Sequence, residues 1–396
     1  MTQSLAILGR QPALGIAELE SLFGPEKLTI IGQQQAVVIQ ADPANIDFSR
    51  LGGTIKLGQL LSVQDTADWH DLQLWLKHTI HQHLQALPLE GKLQLGMSAY
   101  GLNVSTAKLN ASGLELKKAI RATGRSVRLV PNKTTELNSA QVLHNHLTGP
   151  MGWEFLFIRD GNRTYVAQTT HVQDINAYAA RDQARPKRDA RVGMLPPKLA
   201  QIIINLAASK QTADSRQQTV LDPFCGTGVI PQESLLMDYK AYGTDLEPRM
   251  IEYSQTNLDW LRTVYRIPTT DYRIDVADAT SYTWQPFDAI ACETYLGRPF
   301  SALPKPDILQ AVVQDVDTIH RKFLKNVARQ TGPGFRLCLA IPAWKISTGF
   351  KRLPVLDHLT DLGYTRTSFV HASNRELIYH RPEQIVGREL VVLVRK

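Results

Sequence analysis

The sequence predicts an α/β protein in which a mostly parallel sheet fills the C-terminal half and a smaller α+β region precedes it. Three observations carry this expectation. From residue 198 to 396, short apolar runs alternate with amphipathic helical stretches, the pattern of parallel strands joined by helical crossovers. The run Thr219-Val-Leu-Asp-Pro-Phe-Cys-Gly-Thr-Gly takes an apolar strand straight into an acid and a glycine turn. Before residue 175, strands and helices mix without that alternation, and residues 153–159 and 164–169 read as a hairpin about Gly161-Asn162.

Residues 1–58 are expected to form a small α+β domain. Residues 5–8 and 36–39 are strands, and residues 14–23 a helix with Ile16, Leu19, Leu22 and Phe23 at helical spacing and Gly24 as its stop. Residues 59–174 form a second domain, with a helix over 69–86 and a strand over 93–98. A second helix starts at Ser112, where Ser112 and Glu115 make a capping box, and ends at Gly124. A strand over 125–131 and a helix over 139–147 follow. Residues 175–197, rich in Arg, Lys, Asp and Pro, read as a basic linker. Residues 198–396 are the sheet domain, opened by a helix over 198–207 with Leu199, Ile202, Ile203 and Leu206 on one face.

Bulk composition narrows the function classes. No stretch reaches the roughly 18–20 uninterrupted apolar residues of a membrane helix, and residues 1–24 lack the basic stretch and apolar core of a secretory leader. The cysteines, Cys225, Cys292 and Cys338, are widely spaced, which excludes a disulfide framework and a four-cysteine zinc site and points to a reducing cytoplasm. His78, His81 and His83 cluster without acids or cysteines at ligand spacing, so no metal is expected. The net charge of +7 is modest, and its distribution says more than its size.

The glycine turn is the strongest signal. Glycines at a strand–helix turn let a ligand approach the backbone, because no Cβ intervenes. A dinucleotide site would carry a third glycine; here it is absent and Asp222 precedes the loop. An acid there repels a pyrophosphate and suits the ammonium of S-adenosylmethionine. The next strand, residues 240–244, ends at Asp245, about 20 residues on, where a carboxylate accepts from ribose hydroxyls. The third strand, residues 272–276, leads to Asp278-Ala279, where an adenine amino group finds an acceptor. Phe224, Gly226, Gly228 and Leu246 complete the expected cofactor-binding set.

Asp-Pro-Phe-Cys-Gly-Thr-Gly, Gly-Thr-Asp245 and Asp278-Ala together resemble class I S-adenosylmethionine-dependent methyltransferases. More narrowly, the chain is similar to the THUMP-domain RNA methyltransferases, above all the tRNA guanine-N2 methyltransferases. Tyr178-Ala-Ala-Arg181-Asp182, Arg185-Pro186, Gly193-Met-Leu-Pro-Pro-Lys198 and Gln384-Ile-Val-Gly-Arg388-Glu-Leu add to the likeness. The resemblance implies a Rossmann-like, mostly parallel seven-stranded sheet preceded by a ferredoxin-like/THUMP region. It also implies S-adenosyl-L-methionine as cofactor, tRNA as substrate and a cytoplasmic location.

In that family the fourth strand ends in Asp-Pro-Pro-Tyr or Asn-Pro-Pro-Tyr, whose acid or amide orients the target amino group and whose aromatic stacks on the flipped base. This chain departs: residues 293–296 are Glu-Thr-Tyr-Leu. Glu293 takes the acidic place and Tyr295 is expected to supply the ring, one position early. Basic residues gather in two places: Lys117, Lys118, Arg121, Arg125 and Arg128, flanked by Lys108 and Lys133, and the linker group Arg181, Arg185, Lys187, Arg188 and Arg191. Both are expected to meet RNA phosphates. Two other readings remain: a DNA amino methyltransferase, disfavoured by the THUMP-like segment, and an RNA-binding protein with a decayed catalytic loop, disfavoured by the complete cofactor cradle.

Overall fold

The computed structural model describes residues 2–85, 91–189, 194–208, 216–268, 271–300 and 302–396. The chain divides into two compact units: residues 1–12, 23–49 and 53–177, and residues 13–22, 50–52 and 178–396.

The first unit is built on one eight-stranded sheet. Its strands are β1 (Ser4–Leu8), β2 (Leu28–Ile31), β3 (Ala36–Ile39), β4 (Thr54–Gln64), β5 (Leu93–Tyr100), β6 (Val127–Leu129), β7 (Gly152–Asp160) and β8 (Arg163–Val172), in the order β2-β3-β1-β4-β8-β7-β5-β6. The boundary expected at residues 58/59 falls inside β4, which bonds to β1 on one side and β8 on the other. The expected first and second domains therefore share a sheet. The hairpin turns at Gly161-Asn162, between β7 and β8.

Helices α2 (Trp69–Gln85), α3 (Thr106–Ala122) and α4 (Ser139–His144) complete the unit. Trp69, Leu72, Leu76 and Ile80 recur at helical spacing and bury one face of α2; Leu109, Leu116 and Ile120 do the same for α3. Small residues let α3 lie close: a Cβ on Gly113 would meet Leu129 Cδ1 at 2.8 Å. The expected start of this helix at Ser112 is corrected. Ser105 is the N-cap, accepting from the Lys108 amide at 3.2 Å, because Leu109 already lies in phase with Leu116. Ser112 sits buried mid-helix, donates to Lys108 O and accepts from Trp69 Nε1, while Glu115 pairs with Lys77.

A buried polar network crosses this sheet. Lys56 of β4 and Glu154 of β7 form an ion pair with both side chains essentially inaccessible. Lys56 Nζ also donates to Leu137 O at 2.7 Å, and Ser98 and Thr169 hydroxyls donate to the carboxylate at 2.6 and 2.7 Å. Removing one member of such a pair leaves a buried charge uncompensated, which costs about 3–5 kcal/mol.

The second unit holds β9 (Thr219–Asp222), β10 (Lys240–Asp245), β11 (Tyr272–Val276), β12 (Ala289–Glu293), β13 (Arg336–Ile346), β14 (Gly349–Lys351), β15 (Tyr364–Arg366), β16 (Ile378–Tyr379) and β17 (Val386–Arg395). The main sheet runs β11-β10-β9-β12-β13-β17-β15; β14 pairs with β13 and β16 with β17. β9 to β13 are mutually parallel, whereas β17 is antiparallel to both of its main-sheet neighbours. Its helices are α6 (Pro197–Ala207), α7 (Val229–Leu236), α8 (Pro248–Tyr265) and α9 (Pro306–Ala328). The stretch expected as linker contains α5 (Ile175–Gln183). The second unit also takes residues 13–22 of α1 (Pro12–Phe23), a helix expected within an N-terminal domain. The reason is polar as well as apolar. Glu18 is fully buried and accepts from Gly52 N and Asn205 Nδ2, and Glu20 accepts from the amides of Val370 and His371.

Lys56→Met is predicted to destabilise the first unit by about 3–5 kcal/mol in urea unfolding followed by amide hydrogen exchange of β4 and β7, and Lys56→Met with Glu154→Leu to recover most of that loss. Equal instability of the single and double variants would show that the pair is not what couples the two strands.

Candidate active site

The site grows out of the turn after β9. Asp222 ends the strand with its side chain buried, accepting from the Phe224 amide at 3.1 Å. Gly226 and Gly228 both adopt positive φ, +51° and +84°. At Gly228, the N-cap of α7, a Cβ would also press on Ser254 Oγ at 3.0 Å, so glycine is required twice over. Above Gly226, by contrast, a Cβ would meet only Phe224 O at 4.0 Å, which leaves the backbone open to a ligand. Ser254 Oγ donates to Gly226 O at 2.7 Å and fixes the loop from α8.

Asp245 ends β10 and ties the two crossovers together, accepting from Gly226 N at 2.9 Å and from Glu247 N at 3.0 Å. Leu246 beside it is 69% exposed, an apolar surface available to a ligand. Asp278 follows β11 and accepts from both the amide and the hydroxyl of Thr280 at 2.8 Å; Ala279 is buried. Phe224 is half-buried with its ring edge-on to Phe323. Asp222, Asp245, Asp278 and Glu293 thus lie at the carboxyl ends of four neighbouring strands, where the strand order reverses between β9 and β12.

These acids feel one another. Burial pushes the Asp222 carboxyl well up, and the charges of Asp245 and Glu293 push in the same direction. Burial also raises Asp245, against hydrogen bonds from the Glu247 and Gly226 amides. Three carboxylates gathered in low dielectric with one nearby guanidinium favour a cationic ligand, and a sulfonium with an ammonium answers that demand.

Glu293 carries the guanidinium. Burial raises its carboxyl and Arg388 of β17 opposes the rise. The two form a salt bridge through Arg388 Nε, with 4% and 14% of the Arg and Glu side chains exposed. In the sequence Arg388 is legible only as part of a motif. The signal that could single it out is the Arg388-Glu389 pair opening an otherwise apolar strand. The residue after Glu293 does not stand in for a proline. Thr294 turns inward, its amide on Ala340 O and its hydroxyl against His320 Nε2 at 2.7 Å. His320 Nδ1 lies 2.7 Å from Val316 O and must donate to it, so Nε2 accepts from the Thr294 hydroxyl. Burial pushes His320 down to about 4. Tyr295 is 46% exposed.

The structure divides the expected RNA-binding residues. Lys118, Arg121 and Arg128 are exposed, Lys117 is half-buried, and Arg125 lies against Met151. In the linker group two expectations are corrected. Arg181 is drawn onto the buried Glu233 at 2.8 Å and stacks on Tyr178. Arg185 is 3% exposed, between Asp182 and Met194 Sδ. Neither is available to phosphate, because the buried Glu233 of α7 needs cations near it. Lys187 lies over the Tyr253 ring and Arg188 is exposed. Arg191 lies outside the described residues. Arg188, Tyr379, Arg381 and Arg388 line a cleft of about 560 Å³.

A sheet ordered β11-β10-β9-β12-β13-β17-β15 with β17 reversed, and acids at the ends of its first strands, is the class I methyltransferase fold. Residues 185–348 match the UPF0020 family model, described as RMKL-like, methyltransferase domain. The tRNA (guanine(10)-N2)-dimethyltransferase of Methanothermobacter thermautotrophicus is 31% identical over 164 residues, 41% of this chain and 43% of that protein. Its counterpart in Pyrococcus abyssi is 36% identical over 137 residues, 34% of this chain and 35% of that one. The match therefore spans less than half the length of either relative. Among solved structures, TrmN from Thermus thermophilus covers the whole of both chains at 17% identity with a TM-score of 0.54. SMU.472, a putative methyltransferase complexed with SAH, covers 100% of this chain and 98% of its own at 11% identity, with a TM-score of 0.51. At these identities the likeness establishes the fold.

His320 yields a pH prediction. Its pKa is depressed in the folded state, so its contribution is complete above the unfolded value near 6.5 and is lost as pH falls through about 4. The loss amounts to roughly 3 kcal/mol. Guanidinium unfolding at pH 7.5, 6.5, 5.5 and 4.5 is expected to show a steeper acid-side fall for the wild type than for His320→Gln. Parallel curves would contradict this.

Proposed function

We propose that the chain is an S-adenosyl-L-methionine-dependent methyltransferase that methylates the exocyclic N2 amino group of a guanosine in tRNA. The observation that carries the proposal is the ordered set Asp222, Asp245, Asp278 and Glu293 at the ends of β9 and β10, just past β11, and at the end of β12. The names of the relatives matched over residues within the methyltransferase half supply the base and the RNA class. Three free, buried cysteines accord with a reducing cytoplasm, and among the described residues no helix is long and apolar enough to cross a membrane.

The cofactor supplies an electrophilic methyl group on a cationic sulfur. This chain's residues do the rest. Asp222 sets a negative charge opposite the ligand's ammonium, Asp245 offers acceptors to ribose hydroxyls, and Asp278 with its neighbour Ala279 faces the adenine end. Leu246 and Phe224 cover the flat ring. Glu293 accepts an N–H of the target amino group, orients its nitrogen lone pair, and would receive the proton that the amino group gives up on methylation. Tyr295 is the proposed stacking platform for the flipped base.

Incubating the protein with methyl-labelled cofactor and unmodified tRNA, then digesting to nucleosides, is expected to place label in N2-methylguanosine. Glu293→Gln is expected to lower kcat by roughly 10²-fold or more while cofactor binding persists. Label in another nucleoside, or full activity without the carboxylate, would refute this assignment.

We further propose that the THUMP-like part lies within the first unit and that Lys117, Lys118, Arg121, Arg125 and Arg128 contact tRNA phosphates, joined by Lys187 and Arg188. Lys118→Glu with Arg121→Glu is expected to weaken tRNA binding and to flatten the slope of log affinity against log salt by about one for each phosphate no longer neutralised. An unchanged slope would remove α3 from the RNA surface.

A further inference from the structure

We infer that the cleft bounded by Arg388 is where the target base is told from other purines, and that Arg388 is the residue that reads guanine O6. This rests on the reading of the chain as a guanine-N2 methyltransferase and adds to it the group that sets base specificity.

The cleft has the volume of a nucleotide site, about 560 Å³. Its lining is chemically uneven. Arg188 and Arg381 are exposed, as cations on a rim must be to meet a phosphate. Arg381 is held beside the Tyr379 hydroxyl and near Asp182, so this wall combines a half-buried ring with a fixed cation. Arg388 differs from both: it is 4% exposed, it lines the cleft, and its Nε is bound to Glu293. A guanidinium anchored at one edge has its remaining N–H groups set in a fixed fork.

The pairing itself supplies the specificity. A guanidinium beside a carboxylate presents donors next to acceptors. The Watson–Crick edge of guanine presents an acceptor, O6, and then two donor positions, N1–H and the N2 amino group. The two patterns are complementary when Arg388 meets O6 and Glu293 meets N2. Adenine has an amino group where guanine has O6, and it would set N–H against N–H at Arg388, leaving the donors on that face of the guanidinium without an acceptor. The same salt bridge that keeps Glu293 buried in the free protein therefore presents one half of the recognition pattern before the base arrives.

The test uses tRNA assembled from synthetic pieces, with guanine or 2-aminopurine at the position methylated in the labelling assay. 2-Aminopurine keeps the 2-amino group but lacks O6 and, with it, the N1 proton; only the part of the difference that Arg388→Gln removes is read as O6 recognition. Wild-type kcat/KM is expected to be roughly ten- to a hundredfold lower for 2-aminopurine. Arg388→Gln is expected to lower kcat/KM on both bases, because Glu293 loses its counter-ion, but to lower it much further on guanine than on 2-aminopurine, so that the ratio shrinks toward one; Arg388→Lys is expected to restore part of it. Equal losses on both bases would show that Arg388 acts only by holding Glu293 and would overturn the inference. So would equal wild-type rates on guanine and 2-aminopurine, with methyl transfer itself intact. Absence of transfer to guanine-containing tRNA would instead sink the functional reading beneath it, and this inference with it.

Discussion

A carboxylate at the end of a central strand cannot stay ionised out of water without a cation, and the second unit is arranged so that one is there. Glu293 ends β12, and Arg388 reaches it from β17. That reach depends on β17 running against the rest of the sheet, which brings the start of a late strand to the end where the parallel strands finish. The reversed strand is thus an electrostatic requirement of the site as well as a feature of topology. Asp222 and Asp245 have no equivalent partner: hydrogen bonds from amides temper them, but their charges still push against each other. One acid is neutralised by the fold and two are not.

The first unit solves a similar problem in a different way. Its buried pair, Lys56 and Glu154, is surrounded by hydroxyls and a carbonyl that use the remaining donors and acceptors. No charge there is offered to an outside partner. Such a network adds little net stability over an apolar core, but it penalises any shift of β4 against β7.

What can be read from the sequence follows the range of the interactions. The β9 strand, its acid and its glycines are contiguous, and the strands that end near Asp245 and Asp278 are simple apolar runs, so the fold and the strand-end positions of these acids are legible. β4 is not, because Lys56, a charged residue in its interior, breaks the apolar run; the partner that makes it a core residue is 98 positions away. Ser112 passes for a helix start because a Ser-x-x-Glu pattern says nothing about whether Leu109 is already packed. Arg181 and Arg185 look like any basic pair in sequence; what removes them from the surface is Glu233, buried 52 positions beyond Arg181. Arg388 is 95 positions from Glu293, and only the register of a reversed strand joins them.

The placement of α1 bears on how this chain came to be assembled. Residues 13–22 belong to the second unit although both flanking strands belong to the first, and Glu18 and Glu20 are spent on groups from residues 52, 205, 370 and 371. The second unit is therefore not a cassette. A break in the chain anywhere between residues 22 and 370 would part Glu20 from the two amides that satisfy it, so α1 and the last quarter of the chain cannot be exchanged independently.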